Sequence, residues 1–436
     1  MYLRKEESQI NNTRKKLDWR KLDNSAKIFP IASSKKFSTV FRISAVLSEK
    51  VDEIVLQKAV EKALEVFKSF KVRVKSGFFW YYLEENTKNV RIEKENYYPC
   101  KYIDPNINAG YLFKVTYFEN KINLDVFHAL TDGNSAMHFL KEIVYSYIEL
   151  KHPKEFYNTN RKERKVIYNT EDSYIKNYNK KTKGNASKQK AYILRGRKLP
   201  LGAISVTHEI IDLNKLKQIC KERNCTVTQF LTAILAYSIY EENYKKYNGR
   251  KIIKICIPVN LKKYFDSITI SNFFSYITAK IHIQEKMSFD YILKEVQKEF
   301  KEQLTPEEIM KTMSANVKLG NNLFVKIIPL FLKKIFVKLS YIEIRKYTTS
   351  TFSNLGRIGI IGDYKKYIEE IFILIAPESV EKIKCSSCSY ENKMVFTFTS
   401  ILEDKSIEKR FYELLQKEGI NVKIESNGVC DVISEN

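Results

Sequence analysis

A histidine, an aspartate and a glycine lie within the short segment HALTDG, which runs from His128 to Gly133. An alternating apolar stretch precedes this segment and an amphipathic helical pattern follows it. A neutral imidazole at the end of a strand can accept a proton from a hydroxyl group, because its ordinary pKa of about 6.5 lies near neutral pH. A general base of this kind contributes roughly a hundredfold to ten-thousandfold in rate. The alternative, from these residues alone, is a structural histidine.

The elements that must position this segment follow from hydrophobic periodicity. Alternation predicts a hairpin from strands over 112–118 and 122–127, and this hairpin would place His128 at the end of its second strand. A helix is predicted over 134–150, directly after the glycine. Strands and helices alternate through both halves of the chain, which predicts an α/β fold, and the hairpins indicate mixed sheets.

The composition of the 436-residue chain favours a large folded protein. Hydrophobic residues make up 44% of it, so it can build extensive cores. No run approaches the roughly 18 consecutive apolar residues of a membrane span, and the N-terminus has no apolar stretch like that of a signal peptide. The seven cysteines are scattered, which suits reduced thiols. We therefore expect a cytoplasmic protein, with peripheral membrane contact left open.

Nearly half of the net charge of +24 lies in one stretch. Residues 151–200 hold 15 Lys and Arg against 4 Asp and Glu, and they show no apolar period. This predicts a basic crossover linker between an N-terminal lobe over 1–150 and a C-terminal lobe over 201–436. We attribute most of the charge to compositional drift and a local part to an anionic partner. No nucleic-acid partner is expected, because no base-stacking motif accompanies the basic residues.

Four landmarks occur in order along the chain: LDNSAKIFP near the N-terminus, the HxxxDG pattern from His128 to Gly133, IPVNL followed by Lys262, and SNLG from Ser353. Together they resemble the acyltransferase superfamily that includes chloramphenicol acetyltransferase, condensation domains, wax ester synthases and alcohol acetyltransferases. The alcohol acetyltransferase-like members are the most similar. The resemblance implies a two-lobed chloramphenicol acetyltransferase-like fold, with mixed sheets, flanking helices and an active-site tunnel between the lobes.

The resemblance also implies an acyl-CoA-dependent O-acyltransferase. His128 would deprotonate an acceptor hydroxyl, which then attacks the acyl thioester directly. Acetyl-CoA or another acyl-CoA would be the co-substrate and an alcohol or hydroxylated lipid the acceptor, with no permanently bound cofactor and no metal. Asp132 would point away from the imidazole and secure the loop through a salt bridge to a basic residue. Gly133 would serve either a positive φ or close packing.

Three further residues are candidate donors to the oxyanion that forms during acyl transfer, namely Ser353, Asn354 and Asn260. For each of them, an ordinary role in stabilising a turn is the alternative. Lys262 stands where the family often has an arginine, which can grip a phosphate or carboxylate bidentately and lysine cannot. Phe127 stands where condensation domains carry a second histidine, and this departure argues against peptide synthesis.

Two other patterns have competing interpretations. The segment 323–344 combines apolar residues with a sector of lysines, which suits either a membrane-surface helix or a packed helix whose lysines extend outward. Cys385 and Cys388 form CxxC, but a zinc site would need a second pair, so we interpret the spacing as coincidence. The alternative to an enzyme is a non-catalytic protein on the same scaffold that binds a membrane surface or a carrier protein.

Overall fold

Three β-sheets with flanking helices carry the fold. The computed structural model describes residues 17–35, 37–157, 169–179, 189–243, 252–321 and 326–429. The strands are β1 (Trp19–Lys21), β2 (Val40–Leu47), β3 (Val72–Ser76), β4 (Tyr81–Glu85), β5 (Glu93–Lys94), β6 (Phe113–Phe118), β7 (Lys121–Phe127), β8 (Ser205–Asp212), β9 (Ile252–Asn260), β10 (Phe274–His282), β11 (Ser350–Arg357), β12 (Ile368–Ile375), β13 (Ile383–Tyr390), β14 (Lys393–Ser400) and β15 (Val422–Ser426). The helices are α1 (Phe29–Ala32), α2 (Glu53–Val66), α3 (Gly133–Lys151), α4 (Ser173–Lys176), α5 (Leu213–Glu222), α6 (Val227–Asn243), α7 (Phe289–Gln303), α8 (Pro306–Asn321), α9 (Leu330–Arg345) and α10 (Ser406–Lys417).

The first sheet has five strands in the order β12-β2-β7-β6-β5. Its β6–β7 hairpin is the one predicted from the sequence, and the turn falls at Glu119, which has a positive φ. Helices α2 and α3 contact each other, and their apolar faces share one core with the first sheet. The apolar residues of α2 and α3 therefore face the first sheet and bury one side of it. This packing holds β7, and with it the start of the HALTDG loop, in place.

The second sheet has seven strands in the order β10-β9-β11-β13-β14-β8-β15. Strand β11 is parallel to both β9 and β13, while the other pairs are antiparallel. Helices α5, α6, α7 and α10 pack with this sheet around a second core. The third sheet, β1-β4-β3, is small and antiparallel. The predicted α/β architecture with mixed sheets is thus confirmed.

One strand crosses between the two halves of the chain. Strand β12 comes from the second half but pairs along its length with β2 of the first sheet. The two large sheets therefore do not divide the chain at a single point. The lobe boundaries at 150 and 201 stay a prediction, and residues 158–168 and 180–188 of the basic stretch lie outside the described residues.

Two described parts of the basic stretch, residues 169–179 and 189–200, pack on the second half of the molecule. Tyr174 is buried against Phe273 with edge-to-face ring geometry, and Tyr192 and Leu194 belong to the core of the second sheet. The flanks of the basic stretch are thus part of the folded structure.

Helix α9 keeps Lys334 and Lys338 exposed, as the packed-helix alternative expects, but it buries Lys333 and exposes much of its apolar side, which that alternative does not expect. Lys333 is buried, whereas Phe331, Ile335 and Phe336 are exposed. Residues 323–325 of the predicted segment lie outside the described residues. Within the described ranges, no helix combines the length and apolar character needed to span a bilayer.

Candidate active site

His128 lies directly after β7, where the first sheet ends. Its backbone N–H donates to the Thr39 carbonyl oxygen at 3.0 Å. The half-buried ring stacks on Phe29 with centroids 4.7 Å apart, and Phe41 and Phe274 approach it at 5.1 and 5.3 Å. Burial among these rings lowers the pKa of His128 below its ordinary value, because a low-polarity environment disfavours the imidazolium. The imidazole is therefore neutral at neutral pH, which is the form a general base requires.

The side-chain amide of Asn272 fixes the tautomer of this imidazole. Its nitrogen donates to Asp23 Oδ2 at 3.0 Å and to the His128 carbonyl oxygen at 3.1 Å. Both partners are acceptors, so this end of the amide must be the NH₂ group. The amide oxygen then faces His128 Nδ1 at 2.9 Å and accepts its proton. The lone pair consequently resides on Nε2, and this nitrogen can act as the base.

Asp23 anchors the amide from the opposite side. Its carboxylate is buried and accepts from Ser25 Oγ at 2.9 Å and from the backbone N–H groups of Ala26 at 2.8 Å and Asn272 at 3.2 Å. Burial raises the pKa of Asp23 above its ordinary range, although these hydrogen bonds favour the carboxylate. Asp23 thus orients Asn272, which in turn orients His128.

Asp132 caps the helix that follows the HALTDG loop. Its Oδ1 accepts from the Ser135 N–H at 2.9 Å, at the N-terminus of α3. Its Oδ2 accepts from the Phe273 N–H at 3.2 Å, next to Asn272. Asp132 therefore secures the loop to the segment that enters β10, and neither oxygen is hydrogen-bonded to the imidazole.

Lys262 is the cation nearest to this carboxylate among the described ion pairs. Its Nζ lies 3.9 Å from Asp132 Oδ2 and donates to Ser135 Oγ at 3.1 Å. The resemblance predicts a salt bridge from Asp132 to a basic residue, and Lys262 occupies that place. Since Lys262 follows β9 and Asp132 precedes α3, the contact ties the second half of the chain to the first.

Gly133 packs closely against the side chain of Leu355. It is absent from the glycines with a positive φ, so a left-handed backbone is not the reason for it. A Cβ at this position would lie 3.0 Å from Leu355 Cδ2, tighter than ordinary van der Waals contact. Leu355 belongs to the SNLG segment, so two of the sequence landmarks meet here.

The three candidate oxyanion donors differ in their surroundings. Asn354 donates to Thr228 Oγ1 at 3.0 Å and accepts from the Gly356 N–H at 2.8 Å. Asn260 accepts from the Lys262 N–H at 3.0 Å, capping a short turn. These contacts fit the alternative of turn stabilisation for both asparagines.

Ser353 remains the candidate with an available hydroxyl. Within the described part of the chain, its side chain takes part in no hydrogen bond, and it is half-buried. Its neighbours Phe352 and Asn354 face the second core and Thr228 of α6, so Ser353, in the regular part of β11, faces the other side of the sheet, toward the first core against which Leu355 also packs. Leu355 contacts Gly133, so this face is turned toward the loop that carries His128.

Asp23, Phe29 and Asn272 are site residues that the sequence analysis did not assign. Asp23 and Phe29 lie within LDNSAKIFP, which served only as a landmark. Asn272 lies between two apolar segments shortly before a strand. From the sequence alone, an asparagine at such a position indicates an ordinary turn. Its role depends on contact with a residue 144 positions away, which spacing does not reveal.

Cys385 and Cys388 do not form a site. Both are buried free thiols on β13, each in a different core, so they face opposite sides of the sheet. Burial raises the pKa of Cys388 to about 12. No cluster of potential metal ligands occurs among the residues that the structure describes.

Residues 178–266 match the family model described as alcohol acetyltransferase. This match includes the IPVNL landmark and Lys262. The resemblance predicted from the sequence is confirmed. No curated protein is significantly similar to the chain in sequence.

Solved structures agree with this assignment at the level of the fold. TRI101 of F. graminearum, in complex with coenzyme A and deoxynivalenol, matches with a TM-score of 0.65 and 11% identity over 93% of this chain and 99% of its own. Polyketide synthase associated protein 5 from Mycobacterium tuberculosis matches with a TM-score of 0.59 and 12% identity, over 91% and 96%. The starter condensation domain of rhizomide synthetase matches with a TM-score of 0.58 and 9% identity, over 92% and 93%. The two-lobed chloramphenicol acetyltransferase-like fold is therefore confirmed.

Proposed function

We propose that this protein transfers an acyl group from acyl-CoA to an alcohol, with His128 as the general base. The observation that carries the proposal is the Asn272 amide, which holds the proton of His128 on Nδ1 and leaves Nε2 basic. The family match and the shared fold support the reaction class. An acyl-CoA serves as co-substrate, and the chain needs no permanently bound cofactor for this chemistry.

The reaction proceeds in one addition and one elimination. Nε2 of His128 takes the proton of the acceptor hydroxyl while the oxygen forms a bond to the thioester carbonyl carbon. The carbon–sulfur bond of the resulting tetrahedral intermediate then breaks, and the departing coenzyme A sulfur takes the proton back from Nε2. The products are an ester and free coenzyme A, and the imidazole regains its starting state. Much of the rate comes from holding both substrates beside one nitrogen.

The Ser353 hydroxyl is the side chain we assign to the oxyanion. It lies on the face of β11 that is turned toward the His128 loop, and it is not engaged elsewhere among the described residues. A hydroxyl donor at a tetrahedral intermediate contributes up to roughly a hundredfold in rate. Asp132, Gly133, Lys262, Asn260 and Asn354 are positioning residues in this proposal, because each one secures the loops around the imidazole.

Turnover and product analysis test the proposal. Purified protein is supplied with acetyl-CoA or a longer acyl-CoA and a panel of alcohols, and the ester is quantified by chromatography. We expect His128→Ala to reduce ester formation at least a hundredfold while the circular dichroism spectrum is retained. His282→Ala is the matched control, because His282 is exposed at the end of β10. Equal activity in the His128 variant would refute the role of this residue.

The alternative of a non-catalytic binding protein makes a different prediction. In that case no acyl donor would be consumed with any alcohol, and His128→Ala would affect stability alone. The buried network around His128 would then serve only stability, and Asn272→Ala would lower the melting temperature with no other effect.

A further inference from the structure

Helix α9 exposes its apolar side. Five large apolar residues are between 40% and 65% exposed, and they fall within an arc of about 140° at roughly 100° per residue. We call this set the α9 face: Phe331, Leu332, Ile335, Phe336 and Leu339. The exposed rings of Phe78 and Phe79 adjoin the start of the helix, where the Phe78 carbonyl oxygen accepts from the Leu330 N–H at 2.9 Å.

Polar anchors hold the opposite side of α9 against the protein. Lys333 is buried, donates to the Phe79 carbonyl oxygen at 2.9 Å and lies 3.5 Å from the centroid of the Trp80 ring. Near the other end, Arg345 pairs with the buried carboxylates of Glu378 and Glu381. Burying a lysine costs free energy unless its ammonium is satisfied, as it is here. These anchors fix the orientation of the helix, so the apolar residues cannot turn inward.

Cations border the α9 face. Lys334 and Lys338 are exposed on α9 beside the apolar arc, and Lys326 is exposed just before the helix. No acidic residue occurs between Lys326 and Ile342. Burial first, and then repulsion by the charge of Lys27, lower the pKa of Lys333 to about 8. An anionic group would relieve this repulsion.

We propose that the α9 face docks the protein on an anionic membrane surface. A monomeric protein rarely exposes a continuous apolar strip of this kind, and apolar residues with flanking lysines are the signature of a helix that lies in the lipid interface. Each nearby lysine adds attraction to anionic lipid headgroups. The α9 face, Lys334 and Lys338 lie on one helix, so a single surface provides both the apolar and the electrostatic contribution.

The docking helix is one element away from the imidazole. Helix α9 contacts α1, and α1 begins at Phe29, the residue that stacks on His128. Resting on the proposed function, we further assign a hydroxylated lipid as the acceptor class, since such a molecule would reach the site from the membrane beside α9. Docking itself is independent of catalysis and is tested separately.

Vesicle sedimentation tests the docking. The full-length protein is mixed with vesicles of phosphatidylcholine, with or without phosphatidylglycerol, and the bound fraction is measured across a range of salt. We expect binding to the anionic vesicles that weakens as salt rises. The triple variant Phe331→Ser, Ile335→Ser, Phe336→Ser should lose at least tenfold in affinity, because three exposed apolar side chains that would enter the lipid interface are removed. Lys334→Gln and Lys338→Gln should each reduce it roughly fivefold.

The matched control carries Ile54→Ser, Ile107→Ser and Ile268→Ser, three exposed isoleucines away from α9, and should bind as the native protein does. No binding to anionic vesicles, or equal binding by the α9 triple variant, would overturn the proposal. Self-association that the triple variant abolishes, with no lipid binding, would assign the face to a second copy and also overturn it.

Two activity measurements separate this inference from the proposed function. The α9 triple variant should acylate a short, water-soluble alcohol at the native rate, because none of its residues belongs to the site. With a long-chain alcohol embedded in anionic vesicles, its rate should fall at least tenfold. His128→Ala should bind vesicles normally and turn over neither substrate. Equal rates of the native protein and the triple variant on the vesicle substrate would refute the lipid acceptor.

Discussion

At the scale of single residues, the site is a chain of hydrogen bonds from Asp23 through Asn272 to His128. His128 can be found from the sequence because the HxxxDG pattern lies within six consecutive residues. Asp23 and Asn272 come from distant segments, and their contact depends on how the two halves of the chain meet. Residue spacing along one sequence carries no information on that contact, so these positions could not be predicted.

The pH dependence of kcat/KM is expected to report the His128 environment. Since burial lowers the pKa of His128, activity should stay on its plateau below pH 6.5 and fall only when the imidazole becomes protonated at lower pH. The measurement is kcat/KM across a pH series with stable protein. An acid limb with its midpoint above 6.5 would contradict the burial of this group.

Asn272→Ala should shift that acid limb to still lower pH. The Asn272 hydrogen bond raises the pKa of His128, because it favours the charged ring, and its loss removes that support. The plateau should drop about tenfold, the equivalent of one hydrogen bond that no longer holds the tautomer. Asn214→Ala, on the exposed side of α5, is the control. A lower melting temperature with an unchanged pH profile would show a purely structural role.

At the scale of elements, long periodic segments agree with the structure and short or irregular ones do not. The predicted helix over 134–150 is α3, and the predicted hairpin is β6–β7. Strands β1, β5 and β15 are too short or too polar to show a period of two. Strand β13 is buried on both faces and consists largely of serines and cysteines, so its sequence shows no alternation of apolar and polar residues. The burial of Lys333 and the exposure of the apolar side of α9 could not be predicted, because the anchors of this helix, such as the Phe79 carbonyl oxygen, are tertiary.

Removing the cap of α3 should destabilise the protein. Asp132→Ala leaves the Ser135 and Phe273 N–H groups without their acceptor, at a cost of roughly 2 kcal/mol in the free energy of unfolding. Asp132→Asn keeps one oxygen for the cap and should cost less. Urea unfolding of both variants measures the difference. Lys262→Met, which removes only the cation, is the control, and equal losses for all three would contradict the capping role.

Gly133→Ala should be destabilising through one contact. The new methyl group would meet Leu355 Cδ2 at 3.0 Å, which costs roughly 1–3 kcal/mol if neither segment moves freely. Leu355→Ala in the same chain makes room and should recover most of that loss. A double-mutant cycle from unfolding free energies isolates the coupling. Additive effects would show that the contact does not account for the glycine.

At the scale of the whole molecule, β12 joins the two halves into one structure. Its pairing with β2 covers an edge of the first sheet that is otherwise apolar and unpaired. The alternation of elements indicates an α/β fold with two lobes, but a strand exchanged between sheets leaves no trace in composition or charge. The basic stretch over 151–200 suggests one clean boundary, and the pairing of β12 shows that the sheets do not follow it.

A fragment of residues 1–150 should therefore not fold alone. Without β12 the β2 edge is exposed, and we expect the fragment to aggregate or to lack a cooperative thermal transition. The intact chain should unfold in one calorimetric transition, because β12 pairs with β2 of the first sheet and contacts β13 and β14 of the second. Solubility and differential scanning calorimetry provide the measurements. A soluble fragment with native-like cooperative melting would contradict the importance of this strand.

In the proposed mechanism, the hydrogen bond from His128 Nδ1 to Asn272 makes activity depend on contact between the two halves of the chain. Asn272 belongs to the second half of the chain and His128 to the first, so a motion that parts them would release Nδ1. The imidazole proton could then lie on either nitrogen, and Nε2 would no longer be held in the basic form. In the proposed reaction, turnover would consequently occur with the two halves in contact. The same coupling would protect the thioester from base-catalysed hydrolysis whenever the two halves separate, because His128 would then no longer be held as a base.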